Sequence, residues 1–318
     1  MPRPIVLDVD TGTDDALALL YAVGSADLDL RGVGCVAGNA GLEQVVDNTL
    51  RVLDAAGAPA LPVAAGATKP FIERTRPEGQ FHGEDGLGGV ELPATSRARA
   101  EQSATAMLHE QIMGSAEPVT LVSLAPMTNV AMLLTLHPDV VERLERLVFM
   151  GGSAAGGNVT AVAEFNVWQD PEAATCVVES GVPVTMYGLD VFDRLLIPQA
   201  TADRWTRSGS PAVRLAGELL HRRGTRAAGF EQDYVGVLGD AGALVLLTHP
   251  ELFTTRSLPV RVNLQGIGRG QTIVDRRPLA QDQEALERDP WPVIEVALDL
   301  DVDAAAAAFI AVVDGYLG

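Results

Sequence analysis

The sequence predicts an α/β fold in which a mostly parallel central sheet is flanked by helices in a Rossmann-type core, with a helical C-terminal portion. Short, continuously apolar runs alternate with amphipathic segments along the chain. Strands that are apolar on both faces are typical of parallel sheets, because helices cover both sides of such a sheet. The chain has 318 residues, 47% of them hydrophobic, which is enough for a sizeable core.

The individual elements are predicted from the period of the apolar residues. The predicted strands are 5–9, 30–37, 119–124, 147–150 and 184–189, and the predicted helices are 14–23, 43–56 and 127–136. Residues 200–249 have a helical pattern that we interpret as several helices in succession, and the alanine run 304–308 favours another helix. Two later strands are predicted at 259–263 and 272–275.

Two long stretches, 66–97 and 151–170, have no regular apolar period. Long loops inside a compact domain are often functional, so we expect them near a binding site. No shift in composition and no low-complexity linker marks a boundary along the chain. We therefore predict a single domain over residues 1–318.

The formal net charge of −19 argues against nucleic acid as a partner. Binding to nucleic-acid phosphates depends on Lys and Arg, which release counterions, and here 42 acidic residues oppose 23 basic ones. We interpret most of the acidity as a contribution to solubility. A smaller part is consistent with a carboxylate cluster that holds a cation.

Cysteine usage and apolar run lengths predict a soluble, cytoplasmic protein. Cys35 and Cys176 each lie in an apolar run, so we predict two core thiols rather than a disulfide. The N-terminus runs straight into a predicted strand and has no signal-peptide pattern. The longest apolar stretch, 304–313, is too short to span a bilayer, so no membrane partner is expected.

Polar side chains collect after the predicted strands, where ligands bind in open α/β sheets. They are Asp8, Asp10, Asp14, Asp15, Asn39, Asn158, Glu164 and Asn166. The four aspartates would repel one another, and protonation, exposure to solvent or a bound cation can each relieve this. Their oxygens suit calcium or magnesium, but Asp14 and Asp15 also begin a predicted helix, whose dipole offsets their charge. Spacing alone leaves a metal site and a helix cap both open.

A phosphatase of the haloacid dehalogenase type is the competing interpretation of this segment. Such enzymes begin with Asp-x-Asp-x-Thr after a strand, and Asp8-x-Asp10 fits, but Gly12 stands where the Thr is required. The glycine-rich stretch 151–157 has neither a Walker lysine nor the Gly-x-Gly-x-x-Gly spacing, so no phosphate-binding loop is predicted there.

Several blocks together resemble one known family. Asp8-x-Asp10-x-Gly12-x-Asp14-Asp15-Ala16-x-Ala18 resembles the N-terminal signature of the inosine–uridine-preferring nucleoside hydrolases. Later blocks follow in the family's order: VAGN at 36–39, HGEDGLGG at 82–89, LVSLAPMTN at 121–129, FMGG at 149–152, AEFN at 163–166 and DPEAA at 170–174. The resemblance covers roughly residues 5 to 250, and the combination is far more specific than any single block.

The resemblance implies a calcium-dependent enzyme that hydrolyses the N-glycosidic bond of a ribonucleoside to free base and ribose. It implies a nucleoside as the small-molecule partner and a homodimer or homotetramer. Calcium would be ligated by Asp10, Asp15, Asp240 and the main-chain carbonyl of Leu124, with Asp10 as the general base for a metal-bound water. The implied substrate-binding residues are Asp14, Asn39, Met150, Asn158, Glu164, Phe165, Asn166 and Asp240.

One position departs from the family pattern. Many members carry His before the late calcium-binding Asp, where the imidazole can protonate the departing base, and here that residue is Gly239. We expect His82 to supply the acid, because it lies in a recognised block, with Tyr234 or a water as alternatives. The other histidines, His109, His137, His221 and His249, lie in or at the ends of helical segments, and we interpret them as structural.

The departure keeps two other functions open. One is a nucleoside- or sugar-binding protein with weak or lost turnover, and the other is a hydrolase of a modified ribosyl compound. The intact Asp10, which a binding protein would not need as a general base, argues against the first.

Overall fold

The structure, a computed structural model, describes residues 1–74, 82–224, 234–277 and 288–318, without the side chains of 223, 224, 234 and 235. Its strands are β1 Arg3–Val9, β2 Leu28–Cys35, β3 Val63–Ala65, β4 Val119–Ser123, β5 Leu144–Met150, β6 Val184–Tyr187, β7 Leu196–Pro198, β8 Tyr234–Val237, β9 Phe253–Val262, β10 Thr272–Val274 and β11 Val293–Leu300. Its α-helices are α1 Thr13–Gly24, α2 Leu42–Ala55, α3 Ala104–Met113, α4 Thr128–Leu136, α5 Phe165–Gln169, α6 Pro171–Val178, α7 Leu189–Phe192, α8 Gln199–Thr206, α9 Pro211–Gly224, α10 Ala241–Thr248 and α11 Val302–Asp314.

Nine strands form one sheet in the order β10-β9-β11-β6-β5-β4-β1-β2-β3. All neighbours from β11 to β3 are parallel, and β9 and β10 extend one edge in antiparallel pairing. β7 and β8 form a separate antiparallel pair. The predicted mostly parallel sheet is therefore confirmed.

Alternate residues of the central strands face two different apolar layers, as the two-residue period of a strand requires. In β1, Ile5 and Leu7 belong to one buried cluster, and Val6 belongs to the other. In β5, Val148 belongs to the first cluster and Phe149 to the second. Helices α1, α2, α9, α10 and α11 cover the first face, and α3, α4 and α6 cover the second. This burial on both faces explains the continuously apolar strands.

The segment predicted to be helical, 200–249, contains a strand as well. It holds α8, α9 and α10, but β8 (Tyr234–Val237) lies before α10 and pairs with β7. Elements β3, α3, α6, α7, β7 and β11 were not predicted. The irregular stretch 151–170 ends in the short helix α5, whereas the described parts of 66–97 contain neither helix nor strand.

The prediction of two core thiols is right for Cys35 and wrong for Cys176, which is exposed; both are free cysteines. Helix α6 buries Ala173, Ala174 and Val177, so Cys176 lies on its outer side. Within the described ranges, no helix combines the length and the apolar character needed to cross a membrane.

Candidate active site

Asp10, Asn39 and Asp15 meet where β1 and β2 end. The main-chain N–H of Asn39 donates to Oδ2 of Asp10 at 2.7 Å. Its side-chain Nδ2 donates to Oδ1 of Asp10 and to Oδ2 of Asp15, each at 3.2 Å. Asp15 also accepts from the main-chain N–H of Gly12 at 2.8 Å, at the start of α1. Because β1 and β2 are parallel neighbours, their carboxyl ends bring Asn39 into contact with two aspartates that lie 24 and 29 positions before it in the sequence.

Two glycines allow this close approach. A Cβ on Gly38 would lie 2.0 Å from Oδ2 of Asp10. A Cβ on Gly12 would lie 2.6 Å from both Nδ2 of Asn39 and Nδ1 of His82. The φ angle of Gly12 is an ordinary −92°, so lack of space, rather than backbone conformation, explains glycine in the N-terminal motif.

The buried carboxyl groups hold their protons more tightly than usual. Burial raises the pKa of Asp8 to about 7, although a hydrogen bond from Asn129 acts in the opposite direction and lowers it. Burial, together with the charge of Asp14, raises the pKa of Asp15 to about 7. Burial and the charge of Asp15 raise the pKa of Asp10 well above its usual range. A cation beside these groups would stabilise their ionised forms and lower each pKa.

The donor set fits a metal ion. One carboxylate oxygen from each of Asp14, Asp15 and Asp240 lies within 4.8 Å of the other two, and all three residues are buried. Such hard oxygen donors are the ligands that calcium and magnesium prefer. Asp10 lies beside this group because it shares the amide of Asn39 with Asp15. The compact carboxylate cluster therefore contains Asp14 in addition to two of the predicted ligands.

His82 lies against the same loop and is 7% exposed. The main-chain N–H of Thr13 donates to its Nδ1 at 3.2 Å, and Nδ1 lies 3.7 Å from Oδ1 of Asp14. Because Nδ1 accepts a hydrogen bond from an N–H group, the neutral imidazole carries its proton on Nε2. In this tautomer Nε2 is the donor atom of His82 beside the carboxylate cluster.

Asn166 and Glu164 form a second wall at the ends of β4 and β5. Nδ2 of Asn166 donates to the main-chain carbonyls of Leu124 at 3.0 Å and Met150 at 3.2 Å. Glu164 caps α5, since its Oε1 accepts from the N–H of Asn166 at 2.8 Å, and its Oε2 accepts from the N–H of Gly152 at 2.9 Å. These bonds fix the side chains at the end of the loop after β5.

Asn158 and Phe165 belong to the same wall. Oδ1 of Asn158 accepts from the main-chain N–H of Phe165 at 3.0 Å, and Phe165 is 5% exposed. The two walls lie at one edge of the sheet, because the main-chain N–H of Leu124 donates to the carbonyl of Asp8 at 2.8 Å. Apart from Met150, the last residue of β5, the predicted site residues thus lie on the loops and helix starts that follow strands.

A comparison with known protein families identifies the family of this chain. The sequence profile of the family described as inosine-uridine preferring nucleoside hydrolase matches residues 5–307. The chain belongs to this family. Pyrimidine-specific ribonucleoside hydrolase RihA of Salmonella typhi is 40% identical over 277 residues, which are 86% of this chain and 89% of the relative.

The fold of this nucleoside hydrolase is also similar to solved structures of nucleoside hydrolases. The purine-preferring ribonucleoside hydrolase from Gardnerella vaginalis superposes with a TM-score of 0.89 at 30% identity, over 99% of both chains. An inosine-guanosine nucleoside hydrolase superposes with a TM-score of 0.87 at 27% identity, over 98% of this chain and 99% of the other. The chain is accordingly a hydrolase of N-glycosyl compounds, and the predicted nucleoside hydrolase-like fold is confirmed.

Asn48 is a buried polar residue of this nucleoside hydrolase that was not predicted to serve the site. Its Nδ2 donates to the main-chain carbonyls of Thr11 at 3.1 Å and Asp85 at 2.8 Å, so it connects the loop after β1 to the loop that contains His82. A signal was available in the sequence, because Asn48 lies on the apolar face of α2, between Val45 and Val52.

Asn129 and Thr272 also support the site. Nδ2 of Asn129 donates to Oδ1 of Asp8 at 2.8 Å. The hydroxyl of Thr272 accepts from the N–H of Ser153 at 2.8 Å and donates to the carbonyl of Ser153 at 2.7 Å. Thr272 comes from β10, 119 residues away, and no local pattern in the sequence points to it.

Gly239 precedes Asp240 with a φ angle of +79°, a left-handed conformation that favours glycine. The residue that departs from the family pattern is thus well suited to its turn. The side chain of Tyr234, the alternative acid, lies outside the described residues.

Proposed function

We propose that this nucleoside hydrolase cleaves ribonucleosides with calcium held by Asp10, Asp15, Asp240 and the carbonyl of Leu124. The buried carboxylate cluster carries the proposal, because Asp15 and Asp240 already lie within reach of one ion. Calcium, when bound, supplies positive charge that offsets these carboxylates and polarises a water and the ribose hydroxyls. Asp14, in the same cluster, is proposed to accept hydrogen bonds from the ribose.

Asp10 is proposed as the general base that takes a proton from the attacking water. Two donor groups of Asn39 orient its carboxylate, so the catalytic oxygens point in a defined direction. Without a cation, burial raises the pKa of Asp10, and a bound calcium would lower that pKa again, so that the carboxylate is ionised and can accept the proton at neutral pH.

The remaining predicted residues are proposed to stabilise the ribose as the bond breaks. Glycosidic cleavage passes through an oxocarbenium-like state, in which positive charge spreads over the sugar ring. Glu164, Asn158 and Asn166 present carboxylate and carboxamide groups at the second wall, and such groups stabilise positive charge when they are fixed beforehand. Met150 and Phe165 are proposed as apolar contacts of the sugar and the base.

His82 is proposed as the donor to the departing base. Its Nδ1 accepts from Thr13, so Nε2 carries the proton that the base nitrogen or oxygen requires. Gly239 has no side chain to supply that proton, which leaves His82 as the imidazole at this site.

The proposed substrates are pyrimidine ribonucleosides, because the relative that is 40% identical over 86% of the chain is pyrimidine-specific. The test measures free ribose released from uridine, cytidine, inosine and adenosine, with calcium and after chelation by EDTA. Faster release from the pyrimidine nucleosides, abolished by EDTA and restored by calcium, supports the proposal. Binding without release from any nucleoside would instead support the nucleoside-binding alternative and refute turnover. The proposed homodimer or homotetramer is tested by light scattering on the same preparation.

A further inference from the structure

We propose that His109, His137 and Asp139 form a second metal site, one that takes a first-row transition ion such as Zn²⁺. One ligand atom from each of these residues lies within 4.8 Å of the other two. This group is called the His–His–Asp cluster below. It shares no residue with the carboxylate cluster of the active site, and nothing in the proposed nucleoside chemistry uses it.

The His–His–Asp cluster lies at the edge of the sheet opposite the active site. Helix α4 begins after the carboxyl end of β4 and runs back along the sheet, so its last turn reaches the amino ends of the strands. His137 follows that turn, and Asp139 lies in the 3₁₀ helix Pro138–Arg143, which leads into β5. His109 comes from α3, which packs against α4 and this 3₁₀ helix. An ion here would join three elements.

The distance between His109 and Asp139 suits a tetrahedral ion. Nε2 of His109 lies 3.5 Å from Oδ2 of Asp139. With metal–ligand distances of about 2.1 Å, two ligands of a tetrahedral zinc are about 3.4 Å apart. The rings of His109 and His137 are stacked, with centroids 4.1 Å apart and an interplanar angle of 26°. To bind one ion, the two imidazoles would have to turn out of this stack so that one nitrogen of each points to the ion.

The donor types select the ion. Two imidazoles and one carboxylate favour zinc, copper or nickel, whereas calcium and magnesium prefer oxygen ligands. Three protein ligands leave a fourth position for water, as in open zinc sites. The side chain of His109 is 30% exposed and that of Asp139 is 56% exposed, so an ion can reach the cluster from solvent.

Main-chain hydrogen bonds hold the backbone around the cluster. The N–H of His137 donates to the carbonyl of Leu133 at 2.9 Å, and the carbonyl of His137 accepts from the N–H of Val140 at 3.1 Å. Pro138, whose ring fixes φ, separates the two ligands contributed by this segment. The ion therefore has to order side chains rather than main chain.

The test is a Zn²⁺ titration by calorimetry, on metal-stripped protein in excess calcium, which keeps the carboxylate cluster filled. His109→Gln, His137→Gln and Asp139→Asn each remove one ligand and keep a polar side chain. The matched control is His221→Gln, because His221 forms a His–Asp pair with Asp203 at 3.0 Å without belonging to the cluster.

The wild type and the His221→Gln control are expected to bind one more Zn²⁺ than the His137→Gln variant, or to bind it at least about tenfold more tightly. Cobalt should show the visible absorption of a tetrahedral ion in the wild type, and this absorption should be lost in His137→Gln. Equal zinc stoichiometry and affinity in all five proteins would overturn the proposal. The cluster would then consist only of two stacked imidazole rings and the contact between His109 and Asp139. Because the readout is zinc binding, absence of nucleoside turnover would not affect it.

Discussion

Replacing Asn129 by alanine is expected to destabilise the folded protein by about 3 kcal/mol. Asn129 is fully buried. Its Nδ2 donates to Oδ1 of Asp8 at 2.8 Å and to the carbonyl of Cys35 at 3.0 Å, and its Oδ1 accepts from the N–H of Ala67 at 2.8 Å. One side chain thus joins β1, the end of β2 and the loop after β3.

The magnitude follows from the groups left behind. Losing the donor to the buried carboxyl of Asp8 costs about 2 kcal/mol, because a buried polar group without its partner costs about 1–3 kcal/mol. The N–H of Ala67 is half-buried, so water offsets part of its loss and about 1 kcal/mol remains. The carbonyl of Cys35 keeps the N–H of Gly66 at 2.9 Å, so its loss adds little.

The measurement is the free energy of unfolding in urea at pH 7, followed by tryptophan fluorescence. Asn263→Ala is the control, since Asn263 is half-buried and its Oδ1 accepts from the N–H of Gln265 at 3.1 Å, a local bond near the surface; it should cost under about 1 kcal/mol. Asn129→Asp keeps the acceptor for Ala67 but places a second carboxyl against Asp8, so it should destabilise more at pH 8 than at pH 5. A loss below about 1 kcal/mol for Asn129→Ala would refute the reasoning.

Three further predictions concern β1 and the loop that follows it. Asp10→Asn should lower turnover by at least about 100-fold, because general-base catalysis contributes that much. The control, Asp303→Asn on the exposed side of α11, should leave turnover unchanged. If Asp10→Asn and the wild type turned over at equal rates, Asp10 would not be the base. Gly12→Ala should raise KM and lower kcat in the ribose assay, because its Cβ would lie 2.6 Å from Asn39 and His82, whereas Gly41→Ala, with nothing within 4 Å, should not; unchanged constants would contradict the close approach. Burial raises the pKa of Asp8 from 3.8 to about 7, so its stabilising contribution is present below pH 3.8 and is lost as the pH rises through about 7. In EDTA, Asp8 alone should lower the free energy of unfolding by up to about 4 kcal/mol between pH 4 and pH 8, and Asp8→Asn should reduce that change; stability that rises over this range equally in both proteins would contradict it.

Much of the candidate site was predictable because parallel strands have a simple geometry. All their carboxyl ends lie at one edge, so a polar residue that follows an apolar run is placed there whatever its position in the chain. Asp10, Asn39 and Asn166 could therefore be grouped before any contact was known. Asn48 could have been added, since a carboxamide on the apolar face of an amphipathic helix needs a buried partner.

Other features depend on packing between segments that are distant in sequence. The sequence indicated only that His109 and His137 lie in or at the ends of helical segments. Their rings stack because α3 packs against the end of α4. The outer face of α6, where Cys176 lies, is likewise set by how that helix docks on the sheet.

The sequence by itself predicted the parallel α/β fold from its apolar period and indicated the family from a series of short motifs, because both are local properties. It also placed the aspartates of the proposed metal site at the ends of strands. The tertiary structure alone decided that Asp14 joins Asp15 and Asp240, that Asn129 supports Asp8, and that Thr272 holds Ser153. These are contacts between side chains from separate elements, and their distances follow from how the helices and strands pack together rather than from any local pattern.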